Sequence, residues 1–315
     1  MSSIPVYPSF RDLEITDKSA FDGALAACPP EISELTFTNL YCWKEAYQFK
    51  VSMLQGFLII RSDAKELPVF FPPVGRIADK AVILRILHDS GGQFNRVPED
   101  VLRLFEGDAS IRSIEDPDNF DYVYGFADLT VLKGGKYDGK RNLIKKFKST
   151  CAYEYHALDA TYVHECAAFE ETWCSLRDCA HSAGLSHERK AFEGMINNFS
   201  AFSLKGGVLK VNRQIVAVAI AEKLNPQTLV MHILKADPGV AGGYQTMLWE
   251  FLSHESEKFT LVNLEQDLGL EGLKKSKLSY YPQYMVKKYK LQLASSNIRL
   301  ILFLAAIYLN AIWVV

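Results

Sequence analysis

Apolar residues recur every three or four positions in ADKAVILRILHDSGG (78–92), with an aspartate ahead of the run and two glycines behind it. That spacing predicts a helix that the glycines end. The same period predicts a helix capped by Thr16 or Asp17 and stopped by Pro29-Pro30. It also marks HECAAFEETWCSLRDCAHSA (164–183), SHERKAFEGMINNFSAF (186–202) and GGYQTMLWEFLSHES (242–256). Short apolar or alternating runs read as strands: GFLIIRS (56–62), PVFFPPVG (68–75), FTLVNLEQDL (259–268) and YMVKKYKL (284–291). GGVLKVNRQIVAVAIAEKLNPQTLVMHILKA (206–236) reads as consecutive antiparallel strands turning at Asn212-Arg213 and Asn225-Pro226. DYVYGFADLTVL (121–132) leads into a turn and a basic helix, KGGKYDGKRNLIKKFKST (133–150). Both halves are mixed α/β, and the chain is expected to divide into 1–155, 156–292 and a hydrophobic appendage, 293–315.

The 315 residues suit two domains. With 49% hydrophobic and 23% charged residues the chain can bury a core. A net charge of −2 means that any polyanion must be met by a local patch. The opening MSSIPVYPSFRDLE lacks the apolar core of an export leader, so a cytoplasmic, reducing setting is expected for the six cysteines. Cys166, Cys174 and Cys179 do not share a face of the expected helix, and no metal site is expected.

Three features carry the candidate chemistry. In NLEQDLGLEGLKKSKLSYYPQ (263–283) a helix from Leu270 to Tyr281 puts Lys277 into an apolar stripe with Leu270, Leu273 and Tyr280, while Lys274 and Lys275 point outward. A lysine on a buried face needs a partner or a use. Glu265 and Asp267, two apart on the preceding strand, would share a face and could supply the partner. Lys277 either reaches a cleft and neutralises a phosphate, carboxylate or oxyanion, or makes a structural ion pair. The second feature is the basic run Lys133, Lys136, Lys140, Arg141, Lys145, Lys146 and Lys148 with Asp138, joined by the lysines of 274–290. It would track an RNA backbone, an anionic membrane surface, or only solvent. The third is the tail from Leu300 to Val315, polar only at Asn310 and short for a membrane span. With Ile298 it is a membrane anchor, an added core helix or an appendage foreign to the rest. No residue has the neighbours of a covalent nucleophile, so direct attack of an acceptor amine or hydroxyl on a bound acyl ester is the fitting chemistry. Glu265 or Asp267 would accept the proton, and Tyr280 or Tyr281 would donate one.

GGKYDGKRN (134–142), ILKADPGVAGGYQ (233–245) and NLEQDLGLEGLKKSKLSYYP (263–282) together resemble the bacterial family named for the C-terminal domain of phosphatidylglycerol lysyltransferase, over about residues 10–291. The element order of the second half is also that of a GNAT N-acyltransferase. The resemblance implies two tandem GNAT-like acyltransferase domains, α/β (α+β), with mixed, largely antiparallel sheets flanked by helices, related to the FemABX peptidyltransferases. It implies transfer of an aminoacyl group from aminoacyl-tRNA to a lipid or small-molecule amine or hydroxyl, with no bound cofactor. A stand-alone member of that family without the multi-helix membrane region of the full lysyltransferases is expected. The resemblance places the site in the second domain: Lys277, Glu265, Asp267 and Tyr280 as catalytic candidates, and Lys235, Tyr244, Gln245, Gln266, Lys274 and Tyr281 as donor or substrate contacts. Lys136, Lys140, Arg141 and Asn142 would meet nucleic acid. GNAT enzymes that use acetyl-CoA hold its pyrophosphate on a loop of the pattern Gln/Arg-x-x-Gly-x-Gly/Ala at a helix N-terminus. Here that loop reads GVAGGY, with Gly239 for the Gln or Arg, Gly242 in place and Tyr244 where a small residue belongs. This counts against an acetyl-CoA donor, although Gly243 would restore the pattern in a shifted register. An acyl-CoA-dependent enzyme and a non-catalytic RNA- or amino-acid-binding domain are the alternatives.

Overall fold

The computed structural model describes residues 3–177 and 179–294. The chain forms two compact units that are interleaved in sequence, so the boundary expected near residue 155 does not hold. Residues 3–28, 47–119 and 287–294 make the first unit, and 29–46 with 120–286 make the second. Strands β1 (Arg11–Asp12), β2 (Phe49–Leu54), β3 (Phe57–Ser62), β4 (Val69–Phe70), β5 (Gln93–Pro98) and β6 (Ile111–Glu115) belong to the first unit. Strands β7 (Asp121–Gly125), β8 (Tyr153–Ala157), β9 (Lys205–Val211), β10 (Gln214–Lys223), β11 (Thr228–Ala236), β12 (Leu261–Asn263) and β13 (Tyr284–Val286) belong to the second. The last strand, β14 (Lys288–Leu293), returns to the first unit.

The sheet orders, β1-β2-β3-β4-β5-β14-β6 and β8-β9-β10-β11-β12-β7-β13, match position by position. In each sheet the fourth and fifth strands are parallel and the other neighbours antiparallel. In each, the sixth strand comes from the other half of the sequence: β14 pairs with β5 and β6, and β7 with β12 and β13. The expected tandem pair of GNAT-like units is therefore present, with one strand exchanged between them. The segment expected to close the second domain, YMVKKYKL, splits after Val286 and sends its second part to the first sheet.

Helices α1 (Lys18–Ala27), α4 (Lys80–Ser90) and α5 (Glu99–Arg103) lie in the first unit, and α2 (Phe37–Cys42), α6 (Phe126–Val131), α7 (Asp138–Thr150), α8 (Val163–Arg177), α9 (Ala183–Asn197), α10 (Gly243–His254) and α11 (Glu271–Leu278) in the second. The short α3 (Lys44–Tyr47) ends as the chain re-enters the first unit. Local signals explain several ends. Asp79 caps α4 by accepting from Ala81 N at 2.8 Å, and Gly91 ends it at φ 61°. Asn212 and Arg213, at φ 50° and 66°, make the tight β9–β10 turn.

The core of the second unit packs β7, β9, β10, β11 and β12 against α7 and α10, with Phe147, Met247, Phe251 and Tyr280 among its members. Two cysteines expected to be free thiols, Cys174 and Cys179, are joined as a disulfide at the end of α8, with Cα atoms 5.1 Å apart. Of the expected appendage, Leu293 completes β14, and residues 295–315, including the hydrophobic run, lie outside the described residues. Among the described residues no helix is long and apolar enough to cross a membrane.

Candidate functional site

The helix expected around Lys277 is present as α11, and Lys277 is the residue it buries, at 7% exposure, while Lys274 and Lys275 stay outside. Leu270, expected in the buried stripe, is exposed because the helix begins only at Glu271. Lys277 Nζ donates to the carbonyl oxygens of Leu264 (2.6 Å) and Gln266. Tyr124 Oη in turn donates to the Lys277 carbonyl at 2.8 Å. The lysine thus ties α11 to the segment leaving β12 and satisfies two of its carbonyls.

Glu265 and Asp267 do not share a strand face. β12 ends at Asn263, and Glu265 and Leu268 both adopt φ 56°, which twists the two carboxylates apart. Asp267 accepts from Tyr122 Oη and, at 2.8 Å, from Gly269 N, so it holds the turn into α11 and raises the Tyr122 phenol pKa, adding to the effect of burial. Gln266 accepts from Ser33 Oγ at 3.2 Å.

Glu265 belongs to an arrangement that the sequence reading missed. Its Oε1 lies 2.8 Å from Nδ1 of His232, and the other imidazole nitrogen lies 2.7 Å from Glu222 Oε1. The His232 side chain is 1% exposed. Burial alone would favour the neutral ring, but hydrogen bonds to the two carboxylates and their charge push its pKa up to about 10. The backbone explains how the ring gets there. β10 and β11 pair Ile220 with Ile233 and Ala221 with Met231, so His232 is the extra residue of a β-bulge. Two residues earlier, parallel pairing of β11 with β12 stops at Val230 and Asn263. Beyond that point the His232–Glu265 contact joins β11 to the segment that leaves β12. Asn39 lies beside it, with Nδ2 3.5 Å from Glu265 Oε1 and 3.1 Å from the Ser33 carbonyl. A polar girdle supports the loop: Asp121 accepts from Ser33 N (2.8 Å), Ser33 Oγ (2.8 Å) and Asn263 Nδ2 (3.1 Å), and Asn263 Oδ1 accepts from Glu265 N at 2.7 Å. The one visible signal for this site was a histidine inside the apolar run TLVMHILKA.

The remaining candidates scatter. Lys235 is not open to a donor: it is buried between Glu170 (2.7 Å) and Glu188 (2.8 Å), with its ammonium 4.1 Å from the Trp173 ring centre. Tyr244 and Gln245 stand in the first turn of α10, where Tyr244 packs partly against the core and burial pushes its phenol up to about 12. Tyr280 is buried in the core, and its hydroxyl has no hydrogen-bond partner among the described residues. Burial raises its pKa well above the usual phenol value.

The basic segment divides in the same way. Arg141 is used locally, donating to the carbonyls of Leu132 and Gly134 and to Asp138. Lys140 turns inward, with Nζ 2.6 Å from Ser279 Oγ and 3.9 Å from the Tyr280 ring centre, and its pKa is lowered by burial. Asn142 is exposed. Lys136 is exposed and lies over Tyr137 and Tyr281, 4.9 and 5.3 Å from their ring centres.

A family model described as phosphatidylglycerol lysyltransferase, C-terminal, matches residues 26–292. A conserved protein of unknown function from Bacteroides thetaiotaomicron VPI-5482 is 32% identical, and its crystal structure superposes with a TM-score of 0.84 over 90% of this chain and 99% of that one. The structure of L-PGS from Bacillus licheniformis shares the fold at 15% identity, with a TM-score of 0.61 over 92% of this chain and 94% of that one. An uncharacterized protein of Mycoplasmoides gallisepticum is 24% identical over 173 residues, and the match spans 54% of each chain, about half the length of that curated relative.

Proposed function

This chain belongs to the phosphatidylglycerol lysyltransferase C-terminal family, and from that premise we propose that it moves an aminoacyl group from aminoacyl-tRNA to an amine or hydroxyl acceptor, a lipid or a small molecule. The observation that carries the reading is the Glu222–His232–Glu265 array at the β11 bulge, next to where β11 and β12 stop pairing. In this reading the acyl end of the donor lies where β11 and β12 part, beside Glu265. The acceptor nitrogen or oxygen attacks the ester carbonyl carbon, the bond from that carbon to the ribose oxygen breaks, and the nucleophile's proton ends on the ribose oxygen. We assign the pick-up of that proton to Glu265. His232, its pKa pushed up to about 10 by the two carboxylates, pairs with Glu265 and fixes its direction. Lys277 acts through the backbone that carries Glu265 and Gln266 and does not touch substrate.

The test is transfer of a labelled aminoacyl group from a charged tRNA pool to lipid and amine acceptors by the full chain, beside Glu265→Gln. Wild-type transfer should fall on the order of a hundredfold or more in the variant. Turnover unchanged in Glu265→Gln would remove the assigned role. Transfer from acetyl-CoA alone would make this an acyl-CoA enzyme, and RNA binding without transfer a non-catalytic domain.

A further inference from the structure

The register of the second unit's sheet gathers five residues on one face. Tyr284 pairs with Val123, Leu261 pairs with Gly125 two residues further along β7, and Thr228 pairs with Leu261. Opposite and alternate positions share a face, so Val123, Thr228, Leu261, Tyr284 and Val286 lie together. A cavity of about 330 Å³ sits against them, lined also by Glu31 and by the turn between β10 and β11. The 29–46 segment brings Glu31 there: Ser33, two residues on, donates to Asp121, which pairs with Val286 on the same face. Asn225 Nδ2 donates to the Pro30 carbonyl at 3.0 Å and holds the turn against that segment. Among the described residues, no hydrogen bond or ion pair takes the Glu31 carboxylate, the Gln227 side-chain amide or the Tyr284 hydroxyl. The cavity stands at the start of the β11–β12 pairing, whereas Glu265 lies past its end at Val230 and Asn263.

We propose that this cavity binds a small organic ammonium ion. The amine meets the Glu31 carboxylate and the Tyr284 ring, and the apolar body packs on Val123, Leu261 and Val286. Glu31 is the charged residue among those that line the cavity, so a cation is drawn in and an anion repelled. Burial, then the nearby Glu31 charge, raise the Tyr284 phenol pKa, which keeps that ring neutral beside the carboxylate. One carboxylate is too few for a divalent metal, which takes about six oxygen ligands. Ligand sites run from about 300 to 1,000 Å³, so the fitting molecule is no larger than a simple arylalkylamine. Ammonium binding here goes beyond the acyl-transfer reading and is independent of it.

The experiment is calorimetric titration of the full chain with phenethylammonium chloride. The neutral 2-phenylethanol and the anionic 3-phenylpropanoate, similar in shape, are titrated beside it. Two variants are compared, Glu31→Gln and Glu265→Gln, and thermal unfolding checks that both fold; Glu31 is exposed, so its substitution leaves the core untouched. Phenethylammonium should bind the wild type at least about tenfold more tightly than the alcohol, and the anion should not bind. Glu31→Gln should lose that preference, while Glu265→Gln should bind the amine like the wild type. No saturable binding of the amine, equal binding of the alcohol, or an unchanged preference in Glu31→Gln would overturn the proposal. So would loss of amine binding in Glu265→Gln with Glu31→Gln unaffected, which would put the amine at the acyl-transfer array instead.

Discussion

Lys277 Nζ lies 2.6 Å from the carbonyl oxygen of Leu264, thirteen residues back along the chain, and the same ammonium meets the carbonyl of Gln266. A buried charge is tolerated where it satisfies polar groups that would otherwise lose water unpaired. The lysine satisfies the Leu264 and Gln266 carbonyls of a segment whose Leu264 N and Glu265 carbonyl still pair with Tyr122 of β7.

Lys277→Met should therefore act on stability. Two buried carbonyls lose a charged donor, and the expected cost is about 2–4 kcal/mol by denaturant unfolding. The exposed Lys274→Met should stay within about 0.5 kcal/mol. A Lys277→Met protein that unfolds like the wild type but no longer transfers would instead make the lysine a contact of the reacting atoms.

His232 should leave a mark on the pH dependence of stability. Its pKa is raised in the folded state to about 10 from the ordinary 6.5. The charged ring therefore stabilises the fold fully below about pH 6.5, and that contribution fades as pH rises through about 10. The expected amplitude is a few kcal/mol, on the order set by a shift of this size. His232→Gln should flatten this window in unfolding measurements, and the imidazole resonances of the wild type should titrate near pH 10. A ring that titrates near 6.5 would contradict the ion-paired arrangement.

Two glycines should respond with opposite signs. At Gly242, φ is 84° and an added Cβ would lie 2.3 Å from the Leu143 carbonyl oxygen, which is backbone of α7 and cannot swing away. Gly242→Ala should cost more than about 1 kcal/mol. Gly139 lies within α7 with open space around its missing Cβ, so Gly139→Ala should stabilise by about 0.4–1 kcal/mol. Calorimetry on the pair checks both.

Lys235 is expected to be structural. Lys235→Met leaves Glu170 and Glu188 facing a buried space without their cation, at a cost of about 3–5 kcal/mol. Lys235→Met/Glu170→Leu should recover much of that loss, since the remaining Glu188 is the more exposed of the two acids. A double variant no better than the single one would remove the ion-pair explanation.

The inward turn of Lys277 could be read from the spacing of Leu273, Lys277 and Tyr280, because a helix places residues by a fixed angle. The helices of 78–92 and 164–202 and the β9–β10 turn were legible for the same reason, since their caps and turn residues lie within a few positions. The exchange of β7 and β14 was not legible. It depends on pairings such as Val123 with Asn263 and with Tyr284, between residues more than a hundred apart, on which periodicity is silent. Glu265 and Asp267 were assigned one face because an extended strand was assumed, and nothing in NLEQDL marks a glutamate at φ 56°. Glu222 and His232 were invisible as a pair because a bulge, which changes the side of the sheet a residue faces, has no signature in an apolar run. Lys235 and Arg141 looked available because a sequence shows charges and not the carboxylates and carbonyls folded onto them.

The assigned chemistry requires that the second unit accept an aminoacyl-tRNA donor beside Glu265. The most direct measurement is retention of a labelled aminoacyl-tRNA pool by the full chain, with deacylated tRNA and acetyl-CoA as competitors, over a range of salt. Charged tRNA should bind better than deacylated tRNA, acetyl-CoA should not displace it, and affinity should fall steeply with salt. Binding of acetyl-CoA with no retention of charged tRNA would contradict it.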